Sequence, residues 1–180
     1  MNSQIITLEV EFLTDTHRII GYLPTGERRL SDILNLDSED SVVLDNVRTT
    51  PVDDPETAPI VRGFGQINKE TITFGIPHEP PTTPEERQKI RPFEYIEKKR
   101  HQVLISLPPF AITGYLHLAK QADIRTALRH LTKTFIPISE ASAAYIPNPG
   151  IKWANEVIIV NRKRAQIFWP PRNPRHRGSS

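Results

Sequence analysis

Residues of this 180-residue chain return unchanged at one fixed distance. Gly21-Tyr22-Leu23 comes back as Gly114-Tyr115-Leu116, 93 positions later, and Val10, Ile19, Asn68 and Pro77 come back as Val103, Ile112, Asn161 and Pro170. Similar residues keep the same offset: Phe12 with Ile105, Ile67 with Val160, Lys69 with Arg162. A fixed period is how one structural unit used twice shows itself, and it dictates the fold before any single motif does. It constrains architecture and leaves activity open.

The unit reads as mainly β. From Ile6 to Phe12 apolar and polar residues alternate, with Ile6, Leu8, Val10 and Phe12 on one face, the pattern of a half-buried strand. The turn formers Thr14-Asp15-Thr16 lead into a second strand, His17 to Leu23. Leu30, Ile33 and Leu34 have helical spacing, and the short helix they predict would lie across one open end of a barrel. Ser41 to Val47 is a third strand, and Thr49 to Pro59, rich in Thr, Pro and Asp, reads as a loop. Val61 to Ile67 and Thr71 to Ile76 are expected as a closing hairpin with Asn68-Lys69-Glu70 at its turn.

The second unit repeats this order. Strands are expected at His101 to Leu107, Ile112 to Leu118 and Phe135 to Ser139, with Pro108-Pro109 at the first turn. Asp123 caps a helix whose stripe is Ile124, Ala127, Leu128 and Leu131. Glu156 to Asn161 and Arg164 to Trp169 form the last expected hairpin. The expected architecture is therefore mainly β with short helices: two tandem small open β-barrel domains at 1–78 and 100–171. They are joined by a structured Pro-rich, charged linker at 79–99 and followed by a basic disordered tail at 172–180. Units of roughly 75 residues lie near the lower limit for a self-sufficient core, so they gain by packing on each other or on another copy.

Five short strands with one helix after the second resemble the small open barrels of the Sm-like class in strand count and spacing. Sm-like chains usually place their helix before the first strand, so the likeness implies a fold and carries little functional weight.

Composition removes several function classes. There is no cysteine, which excludes disulfides, thiolate catalysis and cysteine-bound zinc. Seventeen prolines against eight glycines point to many element ends and few long helices. The N-terminal Met1-Asn2-Ser3-Gln4 does not read as a signal peptide, and no apolar run approaches the ~18 residues that span a bilayer. A cytoplasmic protein without membrane association is the expectation.

No catalytic residue, cofactor site or metal site is expected. None of the six histidines pairs with another at i, i+2 or i, i+4, the spacings that put two ligands on one face. Glu39-Asp40 and Asp53-Asp54 are adjacent acids sharing one solvated environment, whereas acid–base work needs two different ones. Phosphate-binding glycine loops and nucleophile elbows are absent, and the chain reads as no enzyme.

Two readings of function follow from charge. Residues 1–60 hold 4 basic and 12 acidic side chains, while the last twenty hold 6 basic and none acidic. An acidic first unit and a basic end suggest head-to-tail contact between copies, so the leading expectation is a non-catalytic scaffold acting through protein–protein or self-association surfaces. Outer strands are the natural place for it, since their unpaired backbone groups can extend a sheet. The alternative is an RNA or single-stranded nucleic-acid-binding module. Arg162, Lys163 and Arg164 with Phe168 and Trp169 nearby, continued by Arg172, Arg175 and Arg177 in the tail, combine phosphate attraction with stacking surfaces. The same residues equally describe a solvated turn whose aromatics face inward.

Overall fold

A computed structural model describes residues 6–79, 98–121 and 123–169. Their strands form one ten-stranded antiparallel sheet that does not close. In chain order they are β1 (Thr7–Leu13), β2 (His17–Pro24), β3 (Ser41–Pro51), β4 (Ile60–Asn68) and β5 (Phe74–His78). The second half supplies β6 (Lys98–Leu107), β7 (Phe110–Ala119), β8 (Phe135–Tyr145), β9 (Lys152–Asn161) and β10 (Ile167–Trp169). Helix α1 (Leu30–Leu34) follows β2, and α2 (Ile124–Arg129) follows β7. Across the sheet the order is β10-β6-β7-β8-β9-β5-β1-β2-β3-β4. Each half thus contributes five neighbouring strands, with its last strand placed beside its first.

That placement corrects the expected hairpins. β4 and β5 do not pair, nor do β9 and β10; β5 pairs with β1, and β10 with β6. The cause is the 3-10 turn between them, Lys69–Thr71 in the first half and Arg162–Arg164 in the second. Asn68 accepts a hydrogen bond from the Glu70 backbone N–H at 2.9 Å, and Asn161 from that of Lys163 at 3.1 Å, so each asparagine caps a turn that carries the chain away from the preceding strand. The strands also run longer than the alternation suggests. β3 continues to Pro51 into the expected loop, and β8 continues to Tyr145. Lys98 and Lys99, assigned to the linker by sequence, already belong to β6, which pairs them with Ala119 and Leu118. The remaining linker residues and the tail lie outside the described residues.

The recurring glycines sit at matching irregularities. The β2–β3 register shifts between Ile20 and Tyr22, and the β7–β8 register between Thr113 and Tyr115. Gly21 and Gly114 lie in those gaps, and opposite them Asn46 and Glu140 adopt positive φ of 50° and 47°. An extra residue on one strand bends it and strengthens its twist, so each half curves at the same point.

Two apolar clusters form the core, and each draws on both halves. One unites Leu13, Val52, Phe74 and Ile76 with β6–β9 residues including Phe110, Ile138 and Trp153. The other places Phe135 and Ile159 among Val10, Phe12, Leu30, Ile33 and Leu44. Phe74 meets Phe110 edge-on at 5.0 Å and Trp153 at 6.0 Å, a favourable arrangement that joins the halves through aromatic faces. Helix α1 buries Leu30, Ile33 and Leu34, as its spacing predicts. No helix among the described residues is long and apolar enough to cross a membrane.

Candidate functional site

The two end strands of the open sheet, β4 and β10, are paired on one side only among the described residues. Among the described residues nine large apolar side chains are exposed, and five of them sit on these two strands: Ile60, Val61 and Phe64 on β4, Ile167 and Trp169 on β10. Phe64 is the extreme case at 71%. Scattered surface leucines need no explanation, but apolar residues gathered on unpaired strand edges do, because such an edge templates the addition of another strand. These edge residues stand out by their exposure, not by their sequence pattern alone. A signal did exist: Ile60, Val61, Phe64 and Ile67 match Trp153, Ala154, Val157 and Val160 at the 93-residue offset, apolar in both.

Those matching residues belong to β9, whose outer edge is covered. β9 pairs antiparallel with β5, Phe74 opposite Val160 and Gly75 opposite Ile159. Beyond the ladder, the Asn161 backbone N–H donates to the Thr73 carbonyl at 3.0 Å, and Asn161 Nδ2 donates to the Ile72 carbonyl at 2.9 Å. Asn161 is accordingly 2% exposed, while its counterpart Asn68 on β4 is exposed. Phe74 and Ile76 of β5 are buried, whereas Ile167 and Trp169 at the matching positions of β10 are exposed. The same pair of edges therefore occurs twice, once joined and once open.

Charge is concentrated at the joined pair. Glu11 on β1 is 3% exposed; its Oε1 accepts from Arg18 Nε at 2.6 Å and from Trp153 Nε1 at 2.8 Å, and its Oε2 lies 3.1 Å from His78 Nε2. A buried carboxylate with an ion-pair partner and an indole N–H is satisfied, and this one ties β1 to β9 across the seam. Sequence reading missed it because its partners are 7, 67 and 142 positions away.

Of the basic residues proposed from sequence, Arg164 reaches across the same seam. Arg164 donates to Asp15 Oδ1 and, at 3.0 Å, to the Glu70 carbonyl; Arg162 Nε donates to the Lys133 carbonyl at 3.1 Å. Two of the three cations thus hold backbone or carboxylate within the chain, and Lys163 shares their turn. Phe168 is half-buried against the core, while Trp169 is exposed at the sheet edge, so the two aromatics do not form one stacking surface. Arg172, Arg175 and Arg177 lie outside the described residues. A depression of about 530 Å³ opens beside Arg164, lined also by Asp15, His17, Thr49 and Thr71. Its one carboxylate, Asp15, is already bonded to Arg164. Among the described residues no group of three or more His, Asp or Glu is placed to hold a metal ion. Set against models of known protein families, curated proteins and solved structures, the chain finds no match in any of the three.

Proposed function

We propose that this protein is a non-catalytic scaffold, two tandem copies of one small, open, Sm-like β unit, and that it works by binding protein along its open sheet edges, its own copies first. The observation that carries the reading is the gathering of exposed apolar residues on β4 and β10, strands that each lack a second neighbour among the described residues. Support for the tandem unit comes from the shared strand order, the matching register shifts at Gly21 and Gly114, and the matching capped turns at Asn68 and Asn161. The nucleic-acid reading has less beneath it, since Arg162 and Arg164 are occupied within the fold.

Light scattering at two salt concentrations tests the proposal. Coulombic contacts weaken as the screening length falls from about 10 Å at 0.1 M to about 3 Å at 1 M, whereas apolar strand pairing does not. The expected result is a mass above the 20.5 kDa of one chain, kept at high salt. An assembly that dissolves at high salt would move the contact to the acidic first half and the basic tail. A single-chain mass at ~200 µM under both conditions refutes self-association.

A further inference from the structure

We propose that copies of this chain join head to tail, β4 of one copy pairing antiparallel with β10 of the next in the register that joins β9 to β5 inside the chain. This rests on the self-association reading above and adds to it the edge, the direction and the register.

The chain contains its own template. Shifting the internal pairs by the 93-residue offset gives the contacts between copies: Ile67 opposite Ile167, and Gln66 opposite Phe168. The two hydrogen bonds of Asn161 transfer likewise. Asn68 N–H would donate to the Gln166 carbonyl of the next copy, and Asn68 Nδ2 to its Ala165 carbonyl. The backbone is already oriented for this. Lys69 N–H donates to Asp40 on the β3 side, so by alternation the N–H groups of Gln66 and Asn68 point outward. On β10 the N–H groups of Ile167 and Trp169 face Ser106 and Leu104 of β6, since the Ile146 N–H to Pro109 bond turns the odd residues of β7 toward β8 and the even residues of β6 toward β10; the Phe168 N–H between them points outward, opposite Gln66.

The side chains are compatible with the same pairing. Where the internal seam sets Glu11 against Trp153, the offset places Leu104 and Ile60, so the polar contact becomes an apolar one between copies. The Arg164–Asp15 bridge becomes Thr71 and Pro108, with no buried charge left unpaired. The helices carry the same asymmetry. Helix α1 reaches across the internal seam through Asn35 to Phe135 of β8 and buries three residues, while α2 buries none. Because the two edges differ, the contact is heterologous: it continues from copy to copy and ends only when a ring closes.

Blocking each edge separately tests the direction. Gln66→Pro and Phe168→Pro each remove an outward-facing donor, the substitution an edge strand tolerates best, since no ladder bond within the copy is lost. Each variant alone is expected at the 20.5 kDa mass of one chain, because every copy would carry one blocked edge that its neighbour needs. An equimolar mixture is expected to give a 1:1 complex of about twice that mass, through the open β10 of one variant and the open β4 of the other. Hydrogen exchange on the unmodified protein supplies a reading independent of variant folding: the amides of Gln66, Asn68 and Phe168 should exchange slowly in the assembly and fast on dilution. If the unmodified protein assembles but either variant still does so alone, self-association stands and this pairing is refuted. A mixture that stays single-chain refutes it as well, as do edge amides that exchange fast in the assembled protein.

Discussion

Gly21 and Gly114 occupy the same place in the two halves, yet the space around them differs. A Cβ at Gly114 would lie 2.5 Å from Ile138 Cγ2 and 2.9 Å from the Ser139 carbonyl oxygen; at Gly21 the nearest atoms, Leu44 Cβ and the Asp45 carbonyl, are at 3.0 Å. Contacts below 3 Å with backbone force movement, and overpacking of this kind costs about 1–3 kcal/mol. Gly114→Ala is therefore expected to lose about 2–3 kcal/mol and Gly21→Ala about 1 kcal/mol, read from urea midpoints at an unchanged slope. Equal losses would mean that the two bends are not packed as described. The glycines were legible because a Gly-Tyr-Leu triplet recurs. Their partners were not: Asn46 and Glu140 share the left-handed backbone but neither residue identity nor the 93-residue offset. Asparagine tolerates that conformation and glutamate does so less readily, so nothing in the residue types announces a bulge at Glu140.

Elements were easier to foresee than their neighbours. Alternation placed β1 and β2, and helical spacing placed α1, because those patterns are local. Which strand lies beside β5 depends instead on a capped turn and on partners far along the chain, and sequence reading supplied a hairpin where β5 leaves β4 for β1 and β9. The joint between α1 and β8 was equally invisible, its residues being 100 positions apart. There Asn35 Nδ2 donates to the Phe135 carbonyl at 2.8 Å, and Asn35 Oδ1 accepts from the Phe135 N–H at 2.9 Å, so one side-chain amide behaves as an extra ladder residue. The same Nδ2 also donates to Ser31 within the helix. Each such bond contributes about 1 kcal/mol net, and a part-buried amide left unpaired costs more. Asn35→Ala should destabilise the chain by about 2–3 kcal/mol by chemical denaturation. A loss below about 0.5 kcal/mol would mean that water replaces the amide freely and that the helix is not a strut between the halves.

The whole molecule is more integrated than two beads on a string. Units joined only by a linker would unfold separately, and two copies of one pattern with a Pro-rich segment between them are compatible with that picture, although units this small gain by packing on each other. The cores argue against separate units. Phe74 from the first half packs on Phe110 and Trp153 of the second, and Phe135 and Ile159 sit inside the cluster built around Val10 and Phe12. Removing either half would expose aromatics packed at the seam, and removing the second would strand Glu11 without its Trp153 donor. The sequence hid this because the residues at the seam keep the apolar character of the matching residues at the open edges, and only the covering strand distinguishes them. Apolar burial shared between halves makes them cooperative, so the chain is expected to unfold in one calorimetric transition whose measured and van't Hoff enthalpies agree. The measurement belongs on Gln66→Pro, since an assembling protein has a Tm that depends on concentration and mimics a second event. Two resolved transitions in that single-chain variant would show the seam between β9 and β5 to be a weak contact. The same result would weaken the case that an identical contact holds one copy to the next.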